Sequence, residues 1–186
     1  MTTPTEIRSQ MLKSDYVPIP VKGKAPVLKE SQHRVETTQD DLAVWARMFP
    51  DAKNTGMLCT HCPTIDIDVK DETAVDAVVA LVRERFEGRG KVLLRYGRRP
   101  KVAIPFRADM PFDKIQVLLI APDGSEDQKV EFLCRGQQVV VHGVHPTANK
   151  MYEWSGGNPG NTKRAELPLI TRPRQKPWWK TPSRWC

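Results

Sequence analysis

The chain has 186 residues, enough for one compact domain with a real core and short for two. Its content, 39% hydrophobic and 27% charged, is that of a soluble globular chain, and no apolar run approaches the roughly 20 residues of a membrane helix. Lys and Arg number 29 against 22 Asp and Glu, a formal charge of +7; this favours a polyanionic partner, nucleic acid or another anion, although a merely basic surface gives the same balance.

Residues 1–15 read as a loose or weakly helical lead-in, polar and without the apolar stretch of a secretory signal, so a cytoplasmic address is expected. Tyr16-Val-Pro-Ile-Pro-Val21 is extended, because prolines force their predecessors into β or polyproline geometry. Lys22-Gly-Lys-Ala-Pro26 follows as a basic turn. Thr38 can N-cap a helix through Phe49, with Leu42, Trp45, Ala46 and Phe49 on one face. Asn54 to Cys59 reads as a turn into a short strand, and Pro63 to Val69 as a second strand. Asp71 or Thr73 then starts a helix to about Glu87, with Val75, Val78, Val79, Val82 and Phe86 at helical spacing.

Strands are expected at Lys91–Tyr96 and Lys101–Phe106, around the basic turn Gly97-Arg-Arg-Pro100, and at Ile115–Ala121, closed by Pro122-Asp-Gly124. Lys129–Cys134 and Gln137–His142 flank Arg135-Gly136 and read as a β-hairpin. Together these elements predict an α+β fold with a largely antiparallel sheet. Residues 1–165 form the expected domain, and 166–186 a basic tail rich in proline and tryptophan. In that tail Arg172, Arg174 and Lys176, interleaved with aromatics, suit phosphate contact and base stacking on a single strand; a linker or packing arm has the same composition.

Of the four cysteines, Cys59 and Cys62 form a C-x-x-C with no second pair to complete a zinc site. Free thiols are the expectation, and a zinc-stabilised binding domain the alternative.

The chemistry concentrates at Thr64-Ile-Asp-Ile-Asp-Val69. Side chains at i and i+2 share a strand face, so Asp66 and Asp68 project together, about 7 Å apart, while Ile65, Ile67 and Val69 take the other side. Two such carboxylates suit a pair of Mg²⁺ or Mn²⁺ ions about 4 Å apart, the clamp for phosphoryl transfer; a solvent-facing polar stripe on an edge strand is the plainer reading. Glu131, a lone carboxylate in an apolar strand, supplies either a third ligand or a cross-strand partner for a lysine or arginine. Arg95-Tyr-Gly-Arg-Arg-Pro-Lys101 is a basic, glycine-containing turn able to wrap a triphosphate. His142-Gly-Val-His-Pro146 leaves a strand where sites usually sit, with His145 placed to bond a phosphate or a sugar hydroxyl.

In this order, the segments from Tyr16 to Trp154 resemble the primase–polymerase family (bifunctional DNA primase/polymerase, N-terminal) of the archaeo-eukaryotic primase superfamily. The matching elements are Gly23-Lys-Ala-Pro26, Asn54-Thr-Gly56, Ile65–Asp68, Arg95–Lys101, Val130-Glu131 and Gly143-Val-His-Pro146, leading to Tyr152 and Trp154. The resemblance implies an RNA-recognition-like catalytic sheet with an N-terminal α/β unit. It also implies Asp66, Asp68 and Glu131 as metal-binding catalytic acids for two divalent ions, Mg²⁺ or Mn²⁺. Arg95, Arg99, Lys101 and His145 would bind the nucleoside triphosphate, and Lys22 and Lys24 the nucleotide or a single-stranded DNA template. Where the family has Ser-x-His, this chain has Arg-Arg-Pro-Lys, so Lys101 stands for the phosphate-contacting histidine.

The expected activity is template-directed primer or DNA synthesis in replication, of a plasmid, phage or integrated element. The sequence holds no Walker-type phosphate loop, so a separate or fused helicase is the expected partner. The alternatives are a non-catalytic single-strand-binding module and a metal-dependent nuclease on the same carboxylates.

Overall fold

In the computed structural model, which describes residues 2–119 and 128–171, the N-terminal lead-in is a capped helix. The Thr3 hydroxyl accepts the Glu6 backbone N–H, the Glu6 carboxylate accepts that of Thr3, and Pro4 opens the first turn of α1 (Pro4–Lys13). Its inner face buries Met11 and Arg8. The Arg8 guanidinium donates from Nη2 to the carbonyls of Ala52 and Asn54 at 2.6 and 2.9 Å, which offsets part of the cost of burying it.

β1 (Pro18–Lys22) turns back at Gly23 into β2 (Ala25–Pro26). α2 (Gln39–Met48) is capped by Thr38 and Asp41 and turns Leu42 and Trp45 inward, while Ala46 is exposed. β3 (Asn54–Leu58) is strand from its first residue, not a turn entering one. β4 (Thr64–Asp68) leads to α3 (Glu72–Phe86), whose N-cap Asp71 accepts the Ala74 N–H at 2.7 Å.

There follow β5 (Leu94–Tyr96), β6 (Val102–Pro105), β7 (Ile115–Leu119), β8 (Gln128–Leu133) and β9 (Gln138–His142), then a short hairpin of β10 (Val144–His145) and β11 (Lys150–Met151), and β12 (Glu153–Ser155). The turn at Pro122–Gly124 and the tail from Arg172 lie outside the described residues.

Every pair of named strands is antiparallel. Six strands form the larger sheet, in the order β12-β5-β6-β4-β8-β7, and four the smaller, β2-β1-β3-β9. The α+β class is therefore as the sequence predicts, but the hairpin at Arg135-Gly136 is not. The turn exists: Gly136 has φ +72°, and the Gln137 N–H donates to the Cys134 carbonyl. Its two arms part into different sheets, β8 pairing with β4 and β7, and β9 with β3. Good turn chemistry cannot specify pairing when longer-range partners compete for both strands.

α3 lays Val75, Val79, Val82 and Phe86 on one face of the larger sheet, against Ile65, Ile67, Ile104 and Phe132. The other face packs on the smaller sheet, where Leu93, Ala103 and Leu133 meet Met57, Cys59, Val139 and Val141. β4 is thus an inner strand. Its isoleucines point to α3, and alternation sends Asp66 and Asp68 toward the smaller-sheet side. Past the hairpin, Leu167 and Ile170 are still buried. Among the described residues, no helix is long and apolar enough to cross a membrane.

Candidate active site

Because β4 lies between β6 and β8, its aspartates are not an edge-strand stripe. The register sets Glu131 of β8 directly opposite Asp66, and Lys129 opposite Asp68. Opposed residues share a face, so the three acids predicted from sequence stand together on it. Each has a cation. Arg95 Nη2 lies 3.6 Å from Asp66, Lys101 pairs with Asp68, and Glu131 sits between the ammonium groups of Lys114 at 2.7 Å and Lys129 at 2.9 Å. Burial pushes the Asp66 carboxyl above its usual range; Arg95 opposes that, while Asp68 and Glu131 add to it. Burial also acts upward on Glu131, but the hydrogen bonds from Lys114 and Lys129 outweigh it and hold that carboxyl below its usual range.

A polar recess of about 140 Å³ opens in front of Asp66 and Asp68. Arg95, Gly97, Arg98 and Lys101 line it from the larger sheet; Lys24 of the β1–β2 turn, His145 of β10 and Thr147 of the β10–β11 turn line it from the other side. His145 is buried, and its Nδ1 accepts the Ala148 backbone N–H at 3.1 Å, so a neutral ring carries its proton on Nε2 and is a donor there. Burial lowers its pKa from 6.5, and the fields of Lys24, Arg95, Arg98 and Lys101 push the same way. Tyr152 supports both walls, with Arg95 stacked 5.0 Å from its ring centroid and His145 tilted at 5.5 Å. Gly97 makes that approach feasible, since a Cβ there would lie 2.6 Å from Tyr152 and 2.7 Å from His145.

The two segments on the far side are held by Asn54. Its Nδ2 donates to the Gly23 carbonyl at 2.7 Å and the Val144 carbonyl at 2.9 Å, and its Oδ1 accepts the Val144 N–H at 2.9 Å. One side chain thereby fixes the turn that carries Lys24 to the short strand that carries His145. Gly143, at φ +113°, leaves room for it: a Cβ there would fall 1.9 Å from Asn54 Oδ1.

Of the residues picked from sequence, Asp66, Asp68, Arg95, Lys101, His145 and Lys24 line one recess. Glu131 shares their face but is engaged by two lysines. Arg99 points away, pairing with Glu153 at 3.3 Å and covering the Tyr96 ring at 3.9 Å; its neighbour Arg98 takes the place in the recess. Lys22 is exposed at the end of β1 and does not line the recess. Arg172, Arg174 and Lys176 lie outside the described residues. Sequence reading missed Lys114 and Lys129; it gave Asn54 only as part of the resemblance, without a role, and Arg98 only as part of the basic turn. Lys129 was open to discovery, being two residues before Glu131 and so on its face.

Among the described residues, no three His, Cys, Asp or Glu side chains gather into a metal-binding group. The Asp66–Asp68 pair still offers what a hard cation takes: carboxylate oxygens on one face, in a polar recess. Glu131 becomes available only by giving up Lys114 or Lys129. Cys59, Cys62 and Cys134 are buried free cysteines, and burial pushes the Cys59 thiol up to about 12.

No curated protein matches this chain at a significant level. The family model for the bifunctional DNA primase/polymerase N-terminal domain matches residues 12–170, a span that includes every residue of the recess. By that match over most of its length, the chain belongs to the Prim-Pol family, bifunctional DNA primase/polymerase, N-terminal.

Proposed function

We propose that the recess is the site of template-directed nucleotidyl transfer, in which the nucleotidyl group of a nucleoside triphosphate is added to a strand paired with single-stranded DNA and pyrophosphate leaves. The observation that carries this reading is the meeting of Asp66 and Asp68 with Lys24, Arg95, Arg98, Lys101 and His145 around one open space. Acids alone suit a cation, and bases alone suit any anion. The two together suit a triphosphate with its divalent ions.

Asp66 and Asp68 would hold Mg²⁺ or Mn²⁺, with Glu131 as third donor once released by a lysine. A bound divalent ion lowers the pKa of the attacking 3′-hydroxyl and offsets phosphate charge. The new bond joins the 3′-oxygen to the α-phosphorus as the bond to the departing pyrophosphate breaks. Arg95 and Lys101, now paired with the aspartates, turn to phosphate oxygens when the triphosphate enters. Lys101 does so in the place of the family's histidine. His145, kept neutral with Nε2–H outward, donates to a phosphate oxygen or a sugar hydroxyl. Lys24 closes the site from the smaller sheet.

The two-sheet arrangement is read as the archaeo-eukaryotic primase fold. Replication of a plasmid, phage or integrated element in the cytoplasm, beside a helicase, is the setting this reading fits.

The test is extension of a labelled primer on single-stranded DNA with Mg²⁺ or Mn²⁺, comparing wild type with Asp66→Asn/Asp68→Asn. Longer products from wild type alone support the reading. Shortened strands point to a nuclease, and equal extension by both proteins removes the aspartates from the site.

A further inference from the structure

Glu131 differs from the two aspartates in how its charge is met: they have one cation each, and it has two. β8 lies between β4 and β7, and the register sets Asp66 on one side of Glu131 and Gln116 on the other. Lys129, two residues earlier on β8, and Lys114, two residues before Gln116, come to the same face. Each takes its own oxygen, Lys114 Nζ at 2.7 Å from Oε1 and Lys129 Nζ at 2.9 Å from Oε2. The backbone just before Lys114 is tied to the end of β8, where Phe112 donates its N–H to Cys134 Sγ at 3.3 Å and accepts the Arg135 N–H at 3.1 Å.

The carboxylate and its partners differ in freedom. The Glu131 side chain is 7% exposed on an inner strand, whereas those of Lys114 and Lys129 are 37% and 36% exposed. Both ammonium groups can swing into solvent without any movement of backbone; the carboxylate cannot. They also differ from Arg95 and Lys101, which line the recess, so that an entering triphosphate can draw those two from the aspartates. Lys114 and Lys129 do not line it, and a triphosphate held there gives them no new partner. A divalent ion that takes a Glu131 oxygen does act on them, because a dication and an ammonium on one carboxylate repel each other.

We infer that Lys114 and Lys129 are positioning residues, a latch on Glu131 that weakens divalent-ion binding in the free protein and that the ion, not the nucleotide, opens. The inference rests on the reading of Asp66, Asp68 and Glu131 as metal-binding acids, and adds which step of loading is uphill. With the latch closed, an ion has the two aspartates. With it open, the third carboxylate joins them and charge-assisted hydrogen bonds are lost.

Mn²⁺ binding is measured by electron paramagnetic resonance of the free ion, on the full chain without nucleotide. Lys114→Met/Lys129→Met should bind Mn²⁺ about tenfold more tightly than wild type, the size of one charge-assisted hydrogen bond no longer given up. In a Glu131→Gln background the same pair of changes should gain about twofold or less, the share due to nearby charge alone. A second readout leaves the latch itself intact. The carboxyl resonance of Glu131 in nuclear magnetic resonance spectra, assigned through Glu131→Gln, should stay in place with a non-hydrolysable triphosphate alone and shift with Mg²⁺. No gain in Lys114→Met/Lys129→Met, an equal gain in the Glu131→Gln background, or a resonance that moves with triphosphate alone would overturn the latch and leave the metal site standing. Absence of Mn²⁺ binding in every variant, or binding that survives Asp66→Asn/Asp68→Asn, would instead remove the metal-binding reading and the latch with it.

Discussion

On one side of the recess, Asp66 and Asp68 stand on an inner strand hydrogen-bonded along both edges, with α3 packed behind it. On the other, Lys24 stands on the β1–β2 turn and His145 at the end of the short strand β10, and their relative position depends on three hydrogen bonds made with one asparagine. The first arrangement follows from local periodicity, since any strand with acids at i and i+2 presents both to one face. The second comes from contacts between residues about 30 and 90 positions apart in the chain. Substitutions on the acid wall should therefore remove chemistry and leave the fold, whereas substitutions behind the cationic wall should disturb the fold and nucleotide affinity together.

The largest effect expected is on the acid wall. Asp66→Ala or Asp68→Ala should lower the rate of nucleotide addition by at least about 100-fold. The Lys101–Asp68 pair is partly exposed and contributes little to stability, so the melting temperature of Asp68→Ala should hardly move. A large drop in melting temperature would erase the contrast between the walls.

On the far side the order reverses. Gly143→Ala drives a Cβ into Asn54 at a backbone angle that L-residues avoid, and should cost about 3 kcal/mol in denaturant unfolding. Asn54→Ala leaves the Val144 N–H and the Gly23 and Val144 carbonyls without their partner, a loss of about 2 kcal/mol. Because it frees Lys24 and His145 to drift apart, it should raise KM for nucleotide more than it lowers kcat. A stability change with unaltered KM would make Asn54 a fold residue only.

Lys101 sharpens the comparison from within the larger sheet. Lys101→Ala should raise nucleotide KM by about tenfold, the size of one lost charge-assisted contact. Lys101→His, which keeps a group able to donate to phosphate, should recover part of it.

The smallest effect is in pH. Burial keeps His142 and His145 below the usual 6.5, so both favour the neutral form in the folded state. Their contribution is fully present above 6.5 and is lost as pH falls through their folded values. Melting temperature should decline from pH 7 toward pH 5, and decline less in His142→Asn/His145→Asn.

The same contrast explains what the sequence discloses. The Asp66–Asp68 strand, the Asp71-capped helix and its Val75, Val79, Val82 and Phe86 stripe are legible because each is a matter of short-range spacing. So was the α1 capping box, Thr3-Pro-Thr-Glu6, which the polar composition of the lead-in obscured. That β4 is an inner strand, and that β8 and β9 part into different sheets, depends on pairing choices no local pattern encodes. In the turn from Arg95 to Lys101, composition signalled a cationic loop but not which arginine faces inward. The structure turns Arg98 to the recess and Arg99 to Tyr96. Asn54 was noticed only as part of a resemblance, since its partners lie in two distant segments.

The most direct measurement of whether the two walls share one ligand is calorimetric titration of a non-hydrolysable deoxynucleoside triphosphate with Mn²⁺. It compares wild type, Lys24→Ala, Lys101→Ala and the double variant. One triphosphate spanning both walls requires that each single change weaken binding by about tenfold, and the double by more than either. Binding weakened by Lys101→Ala but untouched by Lys24→Ala would mean that the smaller sheet contributes nothing to the site.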